Sequence, residues 1–326
     1  MNDVLRRFAR GMGWVILLGC FLGLVSPFWC LAIGLFFHRL LGQVWHPKSL
    51  QWSKSLLKLG VILMGLGLPL NMALNHLVQG FWQSVILILF SFVMGLGLGR
   101  LWGVPRGVGV LVCSGTAICG GSAIAAVSTS LGSKPEDVTL SLGVVFLLNA
   151  LGLLIFPWLG GLLGLGTAEF GKWAALAIHD TSSVVGAAQS FHADSLPLAT
   201  ATKLARTLWI APLVLTLSLL QSNESQSPKG SWTQKIRQVW AAFPWFVGGF
   251  LVCSGLRSGL EHSQPQALIW ASELVKWAKN GFGAGLFLMG ASVSLSWNQF
   301  SFWKVLGMGF TLWILISSLA YALVVL

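Results

Sequence analysis

Two ionisable side chains, His179 and Asp180, stand next to each other within the largely apolar stretch FGKWAALAIHDTSSVVGAAQS, and two more, Lys203 and Arg206, follow in ATKLARTLWIAPLVL. A charge at membrane depth is expensive, so such residues face a bundle interior, pair, or bind something. Histidine changes charge near neutral pH. One reading of His179 and Asp180, with Thr181 and Ser182 beside them, is therefore a coupling pair or a group that sets the charge of a site. The other is a helix-packing hydrogen bond to the Thr181-Ser182-Ser183 cluster. The spacing of three puts Lys203 and Arg206 on one helical face. Arginine offers a fork to a carboxylate or tetraoxyanion and lysine a compact charge. The open readings are contact with an anionic solute, pairing with a residue such as Asp180, or snorkelling to the interface.

A third stretch could bind through its backbone. Cys113 to Ser128, CSGTAICGGSAIAAVS, contains no charged side chain. Glycine weakens a helix, and Ser and Thr compete for its main-chain hydrogen bonds. A helix broken inside a membrane survives only where protein or a wetted cavity satisfies the freed groups. Exposed main-chain dipoles of this kind hold solutes in many secondary transporters. Thr116, Ile118, Cys119, Gly120, Gly121 and Ser122 are the candidate binding residues on this reading. On the alternative, the small residues let two continuous helices approach closely. The chain has no HExxH, no zinc-ligand array, no GxxxxGK[ST] loop and no serine elbow, so an enzyme, a metal or a cofactor is not expected.

These residues must be positioned by membrane helices. Of 326 residues, 55% are hydrophobic and 9% charged, against about 25% charged in a soluble domain. The fold class is all-α and polytopic, one integral membrane domain over residues 1–326. Apolar segments fall at roughly 12–25, 28–41, 57–70, 82–100, 107–130, 138–157, 172–190, 201–220, 240–256, 280–295 and 303–325, eleven crossings with ten as the rival count. Several are shorter than the roughly 20 residues of a straight span.

With the N terminus in the cytoplasm, fourteen of the twenty basic residues but only three acids fall on the inside. That is the positive-inside pattern of a bacterial inner-membrane protein. The charge of +11 is thus an orientation signal, with no nucleic-acid partner expected. The polar stretch 221–238 reads as a cytoplasmic linker between bundles. Trp45, Trp52, Trp82, Trp102, Trp158, Trp173, Trp240 and Trp303 lie near segment ends, as interfacial anchors do. Two internal echoes stand out: GVILMGLGLPLN from Gly60 with GAGLFLMGASVSLS from Gly283, and GTAICGGSAIAAVS from Gly115 with IHDTSSVVGAAQS from Ile178. Their separations differ, so no simple duplication produces both.

The segments LLKLGVILMGLGL at 56–68, SGTAICGGSAIAAVS at 114–128, FGKWAALAIHDTSSVVGAA at 170–188, ATKLARTLWIAPLVL at 201–215 and PWFVGGFLVCSG at 244–255 resemble, in order, the YeiH-type (UPF0324) membrane proteins. The resemblance implies export of sulfate, within the cation/proton antiporter and anion transporter superfamily, and an inverted repeat with broken helices crossing at mid-membrane. The family usually has His-Glu where His179-Asp180 stands, with an amide soon after; here Thr181-Ser182-Ser183 follows, and no amide comes before Gln189. The expected function is a secondary transporter exporting or exchanging a small anion, sulfate or sulfonate-like. Alternatives are a proton- or sodium-coupled organic anion carrier and a gated anion channel. The expected partners are the anion and the lipid bilayer, with a homodimer left open.

Overall fold

The structure is a computed structural model that describes residues 3–25, 27–41, 49–224, 244–263, 266–292 and 300–326. The described residues form helices joined by short turns. In chain order these are α1 (Asp3–Phe21), α2 (Pro27–Leu41), α3 (Ser49–Met64), α4 (Leu70–Leu101), α5 (Arg106–Ala117), α6 (Gly121–Leu131) and α7 (Pro135–Leu162). They continue with α8 (Thr167–Ala177), α9 (Thr181–Phe191), α10 (Ser195–Thr207), α11 (Ile210–Glu224), α12 (Trp245–Ser263), α13 (Ala267–Gly290) and α14 (Phe300–Val325). Proline marks several starts, where its missing N–H costs nothing: Pro69 precedes α4, Pro105 precedes α5, and Pro135 opens α7. The expected linker at 221–238 begins inside α11 and from residue 225 onward lies outside the described residues.

Four described helical stretches are long and apolar enough to cross a bilayer: Leu70–Leu101, Pro135–Leu162, Ser195–Leu220 and Phe302–Val325. At 1.5 Å per residue, α4 is about 48 Å long, more than the roughly 30 Å hydrocarbon core requires. Against the expectation of eleven crossings, only these four described stretches meet the length and apolarity of a straight span, and several other apolar segments are interrupted. The apolar segments at 107–130 and 172–190 are each split into half-helices of 11 or 12 residues. The segment at 57–70 is interrupted by a 3-10 turn over Gly65–Gly67, and the one at 280–295 begins as the end of α13, whose preceding part carries Glu273, Lys276 and Lys279. Apolar side chains such as Leu89, Val93 and Leu101 cover the outer face. Trp52, Trp82, Trp158 and Trp303 are more than half exposed there, but Trp173 is buried and donates its indole N–H to the Ser317 carbonyl at 2.9 Å. It is a core residue, while Trp45 and Trp240 lie outside the described residues.

Packing divides the helices into two groups. In one, α13 lies against α2 and α3, with α1 and α12 alongside. Small residues bring these backbones together: a side chain on Gly34 would begin 2.4 Å from the Phe287 carbonyl, and one on Gly290 2.6 Å from that of Leu31. In the other, α10 packs on α4, α8 and α9, with α5, α7 and α14 around them. The members of each sequence echo are neighbours in space. The helices that carry the first pair, α3 and α13, pack together, with Ser53 of α3, seven residues before the first segment, donating to Gly285 O at 2.8 Å, and the second pair forms the two helix breaks.

Candidate functional site

The helix that begins at Arg106 stops at Ala117 and restarts at Gly121. Gly120 forms the restart with φ +65° and ψ −122°, a conformation that residues with a Cβ rarely adopt. The helix that begins at Thr167 stops at Ala177 and restarts at Thr181. Both breaks are buried, with every residue from Leu111 to Gly120 and from Trp173 to His179 inside the protein.

A helix end leaves four carbonyls without partners, and here each of them is accounted for. On α5, Ser114 O accepts from Ile118 N and Gly115 O from Gly120 N. Thr116 O accepts from Arg206 Nη2 at 2.7 Å and Ala117 O from Arg206 Nε at 2.5 Å. On α8, Ala174 O accepts from Ile178 N and Leu176 O from Arg206 Nη1. Ala175 O accepts from Lys203 Nζ at 3.3 Å, which also donates to Ile178 O at 2.7 Å, and Ala177 O accepts from Trp313 Nε1 at 3.2 Å. Arg206 therefore joins the carboxyl ends of both half-helices through one guanidinium. The carboxyl end of a helix carries about half a negative charge, which two adjacent cations complement. Lys203 and Arg206 are fully buried, so neither snorkels. Among the described residues, neither forms an ion pair with Asp180.

The amino ends of the restarted helices turn the other way and border a cavity of about 520 Å³ between the two helix groups. Gly121 and Ser122 line it from α6, and Asp180, Thr181 and Ser182 from α9. Asp180 caps its own helix: Oδ2 accepts from Ser182 N at 3.0 Å and from the Ser182 hydroxyl. The α6 amino end has no side-chain cap. From the facing group come Lys54 and Lys58 on α3, with Phe246 and Phe282 as apolar wall. Lys58 Nζ lies 5.9 Å from the Phe246 ring centre.

Of the residues predicted from sequence, Gly121, Ser122, Asp180, Thr181 and Ser182 thus share one cavity wall. Gly120 lies directly behind them, beginning a turn whose missing side chain would sit 3.5 Å from the Asp180 Cβ. Thr116, Ile118 and Cys119 are buried away from the cavity; Thr116 serves through its carbonyl, and its hydroxyl has no partner among the described residues. His179 is fully buried, with its ring 6.4 Å from that of Trp313 and neither ring nitrogen partnered among the described residues. It does not line the cavity with Asp180 and does not bond to the Thr181-Ser182-Ser183 cluster. Sequence reasoning missed Lys54 and Lys58 as site residues, counting them only as topology charges. It also missed Asn149 on α7, whose Oδ1 accepts the Asp180 backbone N–H at 2.9 Å. An amide in the middle of the apolar run VVFLLNALGLLIF is the signal that could have found it.

Residues 15–309 match the family described as conserved hypothetical protein 698. A UPF0324 membrane protein of Bdellovibrio bacteriovorus is 36% identical over 299 residues, covering 92% of this chain and 89% of its own length. One from Geobacter sulfurreducens is 35% identical over 310 residues, 95% of this chain and 94% of that one. One from Vibrio parahaemolyticus is 37% identical over 275 residues, 84% and 85% of the two chains. No solved structure matches.

Proposed function

The chain belongs to the conserved hypothetical protein 698 family of UPF0324 membrane proteins, and from that premise we propose that it is a secondary transporter exporting or exchanging a small anion across the bacterial inner membrane. The observation that carries this reading is that two half-helix amino ends border one cavity, the α6 end without a side-chain cap and the α9 end capped by Asp180. A helix amino end attracts anions through its free N–H groups and its dipole, and a broken helix at a bundle interface is where secondary transporters bind solute. Lys54 and Lys58 add positive charge on the facing wall. Lys203 and Arg206 act on the anion from behind, by offsetting the carboxyl-end dipoles that would otherwise repel it. Asp180 sets the charge of the site, and His179 packs beside it without carrying a transported proton.

The full proposal has eleven crossings with the N terminus in the cytoplasm, the two breaks being related by an inverted repeat. The substrate class is sulfate or a sulfonate. The apolar walls from Phe246 and Phe282 favour a second reading, an organic anion carrier. Proteoliposomes loaded with sulfate, sulfite or an alkanesulfonate and diluted into labelled anion provide the test. A carrier gives counterflow, with label accumulating against its gradient while the unlabelled anion leaves. Flux without counterflow overturns the carrier in favour of a channel, and no flux of any of these anions overturns the anion reading.

A further inference from the structure

The charge pattern inside the cavity narrows the solute further, on the premise from the proposed function that the solute presents an anionic group to the site. The α6 amino end, in a helix of 11 residues, reaches the cavity at Gly121 and Ser122 with no side-chain cap. Beside it stands a second donor. Asn149 is 3% exposed and its Nδ2 has no partner among the described residues. The orientation of that amide is set by its other end, since the Asp180 N–H that Oδ1 accepts can only donate. Nδ2 lies 3.4 Å from where a side chain would begin on Gly120, the residue that opens α6. Asn149 lines a small pocket of about 40 Å³ that shares Phe146, Asp180 and Met289 with the main cavity. Asn149 Nδ2 and the start of α6 thus both lie next to the Gly120 turn, and donors so placed suit an oxyanion.

Asp180 makes that place unusual. It is partly exposed and lines both cavities, and the bonds it accepts fall on Oδ2. A bare oxyanion at the start of α6 would sit next to this carboxylate, and like charges at close range repel. A solute that brings its own cation converts the same carboxylate into the acceptor of a charge-assisted hydrogen bond. On the remaining wall Leu57, Val61, Phe146, Phe246 and Phe282 suit methylene groups, beside the charges of Lys54 and Lys58.

We infer that the cavity takes a small organic zwitterion, its sulfonate or carboxylate group at the start of α6 near Asn149 and its ammonium group against Asp180.

The test is calorimetric titration of the purified full-length protein with two matched pairs, aminoethanesulfonate with ethanesulfonate and β-alanine with propionate, and with sulfate. In at least one pair the ammonium-bearing member binds about tenfold more tightly, the size expected of one charge-assisted hydrogen bond. Asp180→Asn keeps an equally good helix cap, and it brings that pair to within about twofold. Binding of ethanesulfonate, propionate or sulfate with no gain from the ammonium group overturns the inference and leaves anion transport standing. An ammonium preference that survives in Asp180→Asn overturns it as well, because Asp180 is then not the partner. Binding of none of the five overturns both.

Discussion

Asn149 Oδ1 and the backbone N–H of Asp180 are 2.9 Å apart, so one amide in the middle of α7 satisfies the main chain at the second helix break. Replacing it with leucine strands a buried N–H, a loss of about 1–3 kcal/mol. Asn149→Leu therefore lowers the thermal midpoint of the detergent-purified protein, and Asn149→Asp, which keeps an acceptor, recovers part of it at acidic pH, where its buried carboxyl is neutral beside Asp180. Equal midpoints for the two variants would mean that the bond contributes nothing.

Gly120 adopts a positive φ, and its surroundings leave ordinary contact distance for a methyl group, 3.4–3.5 Å to Asn149, Val145 and Asp180. The cost of Gly120→Ala is thus backbone strain of about 1–3 kcal/mol without a clash. Gly121→Ala meets Phe146 at 3.3 Å in a helical conformation, and costs less. Denaturation curves for the pair check the order; a Gly121→Ala loss equal to or above that of Gly120→Ala contradicts it.

Arg206→Met leaves the Thr116, Ala117 and Leu176 carbonyls without their donor, a loss of about 3 kcal/mol or more. Lys54→Gln and Lys58→Gln remove charges from the cavity wall, one exposed and one half-buried. Each lowers anion affinity by about two- to fivefold, less so in high salt, and leaves the thermal midpoint unchanged. The reverse pattern, with Arg206→Met stable and the lysine variants unfolded, would exchange the structural and binding roles given to these cations.

Ser122 is exposed on the cavity wall, while Cys20, Cys30, Cys113 and Cys119 are buried and Cys253, half-buried, is replaced by serine in the labelling background. On the proposed orientation, with the N terminus and therefore Lys54 and Lys58 on the cytoplasmic side, the cavity opens to that side. An impermeant thiol reagent then labels Ser122→Cys in inside-out vesicles and not in intact cells. A reporter fused after Leu326 reads as periplasmic, and one inserted between Glu224 and Trp232 as cytoplasmic. Labelling from outside, or both reporters on one side, would refute this orientation.

Membrane residence, the all-α class and the position of the first break were legible in the chain because each rests on local chemistry. Low charge and long apolar runs define helices in lipid, and a glycine pair among small polar residues weakens one helix wherever it lies. The break at Ile178–Asp180 carried a weaker signal, since Asp180 reads first as a buried charge and only then as a helix cap. His179 and Asp180, adjacent in sequence, look like a pair; an extended turn sends one ring toward Trp313 and the other side chain to the cavity.

By itself the sequence determined which side chains must be sheltered: Lys203, Arg206, His179 and Asp180 stand in apolar surroundings, and the energetics of burial require partners for them whatever the fold. Only the tertiary structure decided what those partners are. The groups that Lys203 and Arg206 satisfy are main-chain carbonyls of helix ends 25 to 90 residues away, and every residue type carries the same carbonyl, so no side-chain pattern announces them. Lys54 and Lys58 likewise become site residues only because α3 packs across from the restarted helices, and that apposition arises from long-range packing between two helix groups.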